Sequence, residues 1–111
     1  MDKKRVVVTG LGALTPIGNT LDAYWEGLIS GKSGSDFITY FDAEKFKTKF
    51  ACELKGFDPM DFFDRKEARK LDRFAQYALV SSDEAIVDSG LDLDTIDKFR
   101  VGVIWGAGIG G

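Results

Sequence analysis

The chain contains a short apolar segment, Val101-Gly102-Val103-Ile104-Trp105, that runs directly into the glycine-rich turn Gly106-Ala107-Gly108-Ile109-Gly110-Gly111. Short apolar segments beside turn residues are typical of strands buried on both faces of a parallel sheet. Val6-Val7-Val8 has the same character near the start of the chain. A buried strand needs further elements to cover it, whereas chain termini usually lie in exposed polar segments. We therefore expect residues 1–111 to be the N-terminal part of a larger protein.

Helical signals fill the region between these two strand candidates. Asn19 or Thr20 can cap a first helix, and Gly31 suits the position just after its end. A second helical pattern covers residues 65–89 with a break near Leu71-Asp72, and its many small residues predict a well-buried helix. The order strand, helix, helix, strand predicts an α/β layered fold.

The segment between the two helical patterns has weaker signals. Residues 32–48 show no periodicity, so we expect an ordered loop that packs by its aromatic side chains. Residues 50–54 are a short strand candidate. Asp58-Pro59 predicts a helical turn, because proline after an aspartate cap commonly starts a helix.

The composition restricts the chemistry of the chain. Its formal net charge of -3 argues against non-specific nucleic-acid binding, and no apolar run approaches the ~20 residues of a membrane span. The chain has no histidine and one cysteine, Cys52, so Ser-His-Asp or Cys-His catalysis and the usual zinc sites are excluded within it. Because Cys52 lies in an apolar strand candidate, we expect it to be buried and inert. Low cysteine content and a start without a signal-peptide pattern predict a cytoplasmic protein.

The glycine turn has two explanations. Gly106, Gly108 and Gly111 match the pattern G-x-G-x-x-G, which binds dinucleotides when a helix follows and an acidic residue lies ~20 positions later. Those later positions lie outside the 111 residues. An NAD(P)-dependent oxidoreductase is therefore one hypothesis, and glycines that permit a tight turn at a strand end are the other. The residues alone favour the tight turn.

A group of basic side chains occupies the second helical pattern. At ~100° per residue these side chains share an arc of about 140°, opposite small and apolar residues. The five residues are Arg65, Lys66, Arg69, Lys70 and Arg73. In an acidic chain such a positive patch can dock an acidic or phosphorylated partner. A solvated helix face is the alternative explanation.

Several motifs, in order along the chain, resemble the β-ketoacyl-[acyl-carrier-protein] synthase family. The resemblance lies in Arg5-Val6-Val7-Val8-Thr9-Gly10-Leu11-Gly12, Thr15-Pro16-Ile17-Gly18-Asn19, Trp25, Gly31-Lys32-Ser33-Gly34, Arg65-Lys66-Glu67-Ala68-Arg69-Lys70-Leu71-Asp72 and Gly106-Ala107-Gly108-Ile109-Gly110-Gly111. It covers the whole chain but only the N-terminal portion of the family's N-terminal domain. The resemblance implies a thiolase-like layered α/β fold, a homodimer, and decarboxylative Claisen condensation of an acyl thioester with malonyl-[acyl-carrier-protein].

The resemblance also assigns roles to individual residues. Family members carry the acyl group on a cysteine and use two histidines, and none of these catalytic positions falls in this chain. We therefore expect the chain alone to be inactive, with no cofactor implied. Lys66, Arg69 and Lys70 match basic positions that dock the acidic acyl carrier protein, and Ile109 matches a position that lines the acyl pocket. A non-catalytic carrier-protein-binding module that uses the same patch is the alternative function.

Overall fold

The structure, a computed structural model, describes residues 2–111. In chain order its elements are α1 (Leu21–Ile29), β1 (Asp36–Phe37), β2 (Phe50–Ala51), a 3-10 turn (Pro59–Asp61), α2 (Arg65–Ala68), α3 (Arg73–Ser89) and a second 3-10 turn (Lys98–Arg100). The first helix, the helical turn after Asp58 and the interrupted second helical region confirm the sequence predictions.

Helix α1 begins and ends at residues with strong local signals. Thr20, rather than Asn19, is the N-cap, and its side-chain oxygen accepts a hydrogen bond from the backbone N–H of Ala23 at 3.2 Å. Gly31 follows the helix with a φ of 68°, in the left-handed region that favours glycine. Gly90 ends α3 in the same conformation.

Two carboxylates of α3 hold the segment that leads into α1. Glu84 accepts the backbone N–H of Ala13 at 2.9 Å through Oε2 and that of Leu21 at 2.6 Å through Oε1. One helical turn further along, Asp88 Oδ2 accepts the backbone N–H of Leu11 at 2.9 Å. None of these three backbone amides donates to a neighbouring strand. The carboxylates of α3 serve as their hydrogen-bond acceptors instead.

Two glycines let the same segment approach α3 closely. A Cβ on Gly12 would overlap the carbonyl oxygen of Ser81, and a Cβ on Gly10 would overlap that of Ala85. Any larger residue at either position would push the segment away from the helix. These early glycines therefore serve close backbone packing.

The strands β1 and β2 form a short antiparallel hairpin. Phe37 lies opposite Phe50, and the backbone N–H of Ile38 donates to the carbonyl of Lys49 at 2.9 Å just beyond the pair. The sequence predicted an aperiodic loop over residues 32–48, so β1 was missed. Strand β2 confirms only the first part of the strand predicted over residues 50–54.

The apolar segments at residues 6–8 and 101–105 are not paired as strands. Within residues 2–111 neither segment takes part in a β-bridge. Val6 is 93% exposed and Ile104 is 99% exposed. A strand becomes buried on both faces only when neighbouring strands and covering helices surround it. The prediction of two buried strands is therefore wrong for this chain, because the described residues place no such neighbours beside them.

The chain exposes far more surface than a compact monomer of its mass. Its accessible surface is 9427 Å² at 12.2 kDa, whereas a folded monomer of that mass exposes ~6,000 Å². The radius of gyration is 17.4 Å, against ~13 Å for a compact domain of this length. Burial of helix α3 accordingly falls along its length: Val80 is 8% exposed, but Val87, two turns further along on the same side of the helix, is 80% exposed. The prediction of a well-buried helix is thus correct around Val80 and wrong near the C-terminal end.

Candidate functional site

The basic segment, defined as residues 65–70, forms α2 and the turn after it. Asp64 caps this helix, and its Oδ1 accepts the backbone N–H of Glu67 at 2.7 Å. Ala68 faces inward and is 9% exposed. The exposed side chains include the three predicted docking residues, Lys66, Arg69 and Lys70.

The helix breaks where the sequence predicted. The backbone N–H of Lys70 donates to the carbonyl of Glu67 at 2.9 Å, which tightens the last turn of α2. Asp72 then adopts an extended conformation as the N-cap of α3. Because the chain changes direction here, the basic residues before the break and those after it do not share one helix.

The prediction of a five-residue basic face is wrong at Arg73. Its guanidinium carbon lies 4.0 Å from the centre of the Tyr40 ring, a cation–π contact with the loop that follows β1. Arg73 belongs to α3 and ties this helix to the hairpin. The other four basic residues all lie in the basic segment and, like Arg73, are exposed.

Gln76 bridges the two sides of the helix break. Its side chain is 6% exposed, and its Nε2 donates to the carbonyl of Ala68 at 3.0 Å and to that of Leu71 at 3.2 Å. The Ala68 carbonyl also accepts the backbone N–H of Leu71 at 3.4 Å, so Gln76 adds a second donor there and supplies a donor to the Leu71 carbonyl in the turn after α2. Sequence reasoning missed this residue, because a lone glutamine in a helical pattern usually occupies an exposed position.

A shallow groove of about 470 Å³ lies beside the basic segment. Its lining residues are Asp64, Lys66, Glu67, Lys70 and Leu71. The groove therefore combines two ammonium groups with two carboxylates and one half-buried leucine. Such an open, charged surface suits contacts with another macromolecule better than the enclosure of a small substrate.

A second cleft, of about 430 Å³, lies between the hairpin and α3. Its wall includes Glu53, whose carboxylate accepts hydrogen bonds from the backbone N–H and the hydroxyl of Thr39 at 3.1 and 2.8 Å, and from the backbone N–H of Tyr40 at 3.3 Å. Limited burial raises the pKa of Glu53, but these hydrogen bonds and the charge of Lys55 outweigh it, so the pKa lies below its ordinary value. Burial is the largest cause that raises the pKa of Tyr77 above its ordinary value, and a hydrogen bond with Tyr40 is the second. Glu53 thus stays ionised and Tyr77 protonated near neutral pH, which is unsuited to acid–base catalysis.

The glycine turn at residues 106–111 packs against the start of α3. The Phe74 ring lies 3.4 Å from the Cβ position of Gly110, and the Asp72 side chain abuts Gly111. Ile109, the predicted acyl-pocket residue, is 96% exposed at the tip of this turn. The turn of Ile109 therefore contacts the start of α3, which follows the basic segment along the chain.

The single thiol lies outside both clefts. Cys52 follows the end of β2 at Ala51 and is exposed, so the prediction of a buried cysteine is wrong. Across residues 2–111 no group of three or more His, Cys, Asp or Glu side chains is arranged to hold a metal ion. Over the same residues, none of the helices has both the length and the apolar character of a membrane span.

Comparison with known proteins gives a consistent set of relatives. Residues 3–111 match the family model for the beta-ketoacyl synthase N-terminal domain. The chain is similar to 3-oxoacyl-[acyl-carrier-protein] synthase 2 of Synechocystis sp. (strain ATCC 27184 / PCC 6803 / Kazusa), with 50% identity over 111 residues that cover 100% of this chain and 27% of that protein. The protein of the same name from Vibrio cholerae is 46% identical over 111 residues, again 100% of this chain and 27% of that protein. The one from Staphylococcus aureus (strain COL) is 49% identical over 108 residues, 97% of this chain and 26% of that protein. The chain therefore spans about a quarter of the length of these relatives.

Solved ketosynthase structures share the fold. The ishigamide ketosynthase/chain length factor superposes with a TM-score of 0.72 and 36% identity, over 79% of this chain and 22% of that chain. AntDE:AntF, a type II PKS acyl-carrier protein in complex with its ketosynthase bound to the hexaketide, superposes with a TM-score of 0.65 and 31% identity, over 86% of this chain and 25% of that chain. These neighbours confirm the predicted α/β fold as the N-terminal part of the thiolase-like ketosynthase architecture. With residues 3–111 matched to its N-terminal domain, the chain belongs to the β-ketoacyl synthase family.

Proposed function

We propose that this chain is the N-terminal part of a condensing enzyme that extends acyl chains on an acyl carrier protein. The reaction is the decarboxylative Claisen condensation of an acyl thioester with malonyl-[acyl-carrier-protein]. The observation that carries the proposal is the 50% identity over all 111 residues to a 3-oxoacyl-[acyl-carrier-protein] synthase 2. On this proposal, residues 1–111 form the N-terminal portion of the enzyme's N-terminal domain.

The catalytic residues are assigned to parts of the enzyme outside this chain. Attack by a cysteine thiolate separates acyl transfer from carbon–carbon bond formation, and fixed donors stabilise the negative charge that develops on the thioester oxygen. This chain has no histidine to serve as donor or base, and its only thiol, Cys52, is exposed just after β2. We therefore assign no catalytic role to Cys52 and expect the chain alone to be inactive.

The basic segment is proposed as the docking site for the acidic carrier protein. Lys66, Arg69 and Lys70 are exposed cations close together in a chain of net charge -3. A focused positive patch of this kind attracts and orients an acidic partner. The partner class is supported by the similar ketosynthase whose solved structure includes an acyl-carrier protein.

Ile109 is proposed to line the acyl pocket of the complete enzyme. Its neighbours Gly108 and Gly110 let the backbone approach other segments closely. The turn contacts Asp72 and Phe74, which directly follow the basic segment along the chain. A thioester arm delivered at the basic segment therefore has a short path to the turn of Ile109.

Two further properties stay predictions. Homodimer formation follows from the family resemblance, and exposed apolar segments such as residues 6–8 and 101–105 need further chain or a second subunit to cover them. A cytoplasmic location follows from the low cysteine content.

A condensation assay tests the proposed function. The full-length protein that carries this chain is incubated with acyl- and malonyl-[acyl-carrier-protein], and we expect a 3-oxoacyl product. The 111-residue chain should give no product, and intact-mass spectrometry should detect no acyl adduct on Cys52. The matched variant Cys52→Ser of the full-length protein should keep its activity.

Two outcomes would contradict the proposal in different ways. An acyl adduct on Cys52 would show that the nucleophile lies in this chain after all. Carrier-protein binding by the full-length protein without any condensation would favour the alternative, a non-catalytic carrier-protein-binding module.

A further inference from the structure

The three proposed docking cations lie on a helical segment that is too short to be stable by itself. Helix α2 has four residues, whereas isolated helices shorter than about 12–15 residues are marginal in water. Its N-terminal end is fixed by the Asp64 cap, with a hydrogen bond of 2.7 Å to the N–H of Glu67. At its C-terminal end, where Arg69 and Lys70 lie, the N–H groups of Lys70 and Leu71 donate to the Glu67 and Ala68 carbonyls at 2.9 and 3.4 Å, and a side chain of α3 provides a second anchor.

Gln76 is that anchor, and its contacts flank the two cations. The carbonyls it binds belong to Ala68 and Leu71, the residues immediately before and after Arg69-Lys70. The Nε2 group thus spans the turn that carries both side chains. Gln76 itself belongs to α3, a helix of 17 residues, so the turn is fixed to the longest element of the structure.

The chemistry of this contact requires an amide. One nitrogen with two N–H donors can satisfy two carbonyls together, whereas a carboxylate has only acceptors. The Gln76 side chain is only 6% exposed, so a carbonyl left there without a donor, or facing a carboxylate, would be costly. The same burial keeps Gln76 from touching a partner protein. Any effect of Gln76 on docking must therefore act through the geometry of the turn.

We propose that Gln76 is a positioning residue that holds Arg69 and Lys70 in the geometry needed to dock the acidic carrier protein. This inference rests on the proposed function, because it assumes that the basic segment receives a carrier-bound substrate. It adds a buried, uncharged residue to a docking surface otherwise made of exposed cations.

The test compares two forms of the same substrate in the full-length protein. Acyl-[acyl-carrier-protein] uses the docking surface, whereas the acyl-pantetheine thioester carries the same reactive group without the acidic protein. Gln76→Glu replaces the donor by an acceptor of the same shape, and Gln76→Met removes the donor with little change of volume. We expect either variant to raise the KM for the carrier-bound substrate about tenfold, with kcat and the kinetics of the pantetheine thioester unchanged.

A matched control lies on the same helix. Ser81 is 8% exposed, and its hydroxyl donates to the Tyr77 and Ala78 carbonyls at 2.8 and 3.3 Å, away from the basic segment. Ser81→Ala also removes buried hydrogen bonds from α3, so it should leave the KM for the carrier-bound substrate unchanged. Equal losses with both substrates in the Gln76 variants would mean a merely structural role and would overturn the proposal. So would an unchanged KM in folded Gln76→Met.

The charge reversal of Lys66, Arg69 and Lys70 separates this inference from the proposed function. If the reversal raises the KM for the carrier-bound substrate and the Gln76 variants do not, only the role of Gln76 is wrong. If the reversal also has no effect, the basic segment is not the docking site and both proposals are wrong.

Discussion

At the residue scale, Glu84 joins three parts of the structure. Glu84 lies on α3, more than 60 positions from its partners in sequence. Its two carboxylate oxygens accept hydrogen bonds from the backbone N–H groups of Ala13 and Leu21 at 2.9 and 2.6 Å. Both hydrogen bonds are charge-assisted, which makes them stronger than bonds between neutral groups. Loss of this carboxylate would leave two partly buried amides without their acceptors.

We expect Glu84→Ala to lower the free energy of unfolding of the full-length protein by about 2–3 kcal/mol. The exposed neighbour Asp83 supplies a matched control, and Asp83→Ala should change the free energy by less than about 0.5 kcal/mol. Urea denaturation of both variants measures the difference. Equal stabilities of the two variants would show that the segment before α1 does not depend on Glu84.

Residues whose roles depend on their immediate neighbours could be predicted from the sequence. Thr20, Gly31 and Gly90 cap or end helices, and each has a signal within a few positions of the helix end. The roles of Gln76 and Glu84 depend on partners that the fold brings to them. In the hydrogen bond between Glu84 and Ala13, the two residues are 71 positions apart in sequence. A single sequence contains no local signal for such contacts.

At the element scale, the β1–β2 hairpin is fastened by Glu53 rather than by its few ladder hydrogen bonds. The Glu53 carboxylate accepts hydrogen bonds from Thr39 and Tyr40, just beyond β1. Tyr40 in turn receives the guanidinium of Arg73 from α3 over its ring. This chain of contacts connects the hairpin to the helix that follows the basic segment.

The lowered pKa of Glu53 predicts how the hairpin responds to acid. Because the folded-state pKa lies below that of the unfolded chain, the ionised carboxylate stabilises the fold above the unfolded value. That stabilisation is lost as the pH falls through the folded-state pKa. We therefore expect Glu53→Gln to be less stable than the unmodified protein at pH 7, and the difference to shrink as the pH falls below the unfolded-state pKa and through the lower folded-state pKa.

Chemical denaturation at a series of pH values between about 3 and 7 measures this difference. The exposed residue Glu44, in the loop between β1 and β2, supplies the control, and Glu44→Gln should show no comparable pH dependence. A difference between Glu53→Gln and the unmodified protein that stays constant across the whole range would contradict a lowered pKa at Glu53.

Elements with a local period were predicted, and elements that depend on distant pairing were not. Helices α1 and α3 have capping residues and an apolar face, and the structure confirms both. Strand β1 lies in an aperiodic segment and forms only because β2 pairs with it, with Asp36 opposite Ala51 and Phe37 opposite Phe50. The segments 6–8 and 101–105 have the composition of strands, but composition does not supply the neighbours that a buried strand needs.

At the scale of the whole molecule, the described residues present the exposed charges of the basic segment on an incompletely covered apolar scaffold. The accessible surface of 9427 Å² exceeds that of a compact monomer of this mass by roughly half. The basic segment keeps its position through contacts within the described residues, from Asp64 and Gln76. Ile109, by contrast, is 96% exposed, so an apolar pocket around it requires further protein.

The most direct test of the account is the affinity of the full-length protein for acyl carrier protein when the charges of Lys66, Arg69 and Lys70 are reversed to glutamate. We expect a dissociation constant about a hundredfold higher at low salt, and a smaller difference at high salt because salt screens the charges. Reversal of Lys3, Lys4 and Arg5, three exposed cations elsewhere in the chain, makes the same change in net charge and should have little effect. An unchanged dissociation constant for the first variant, or equal losses in both, would contradict a docking role for the basic segment.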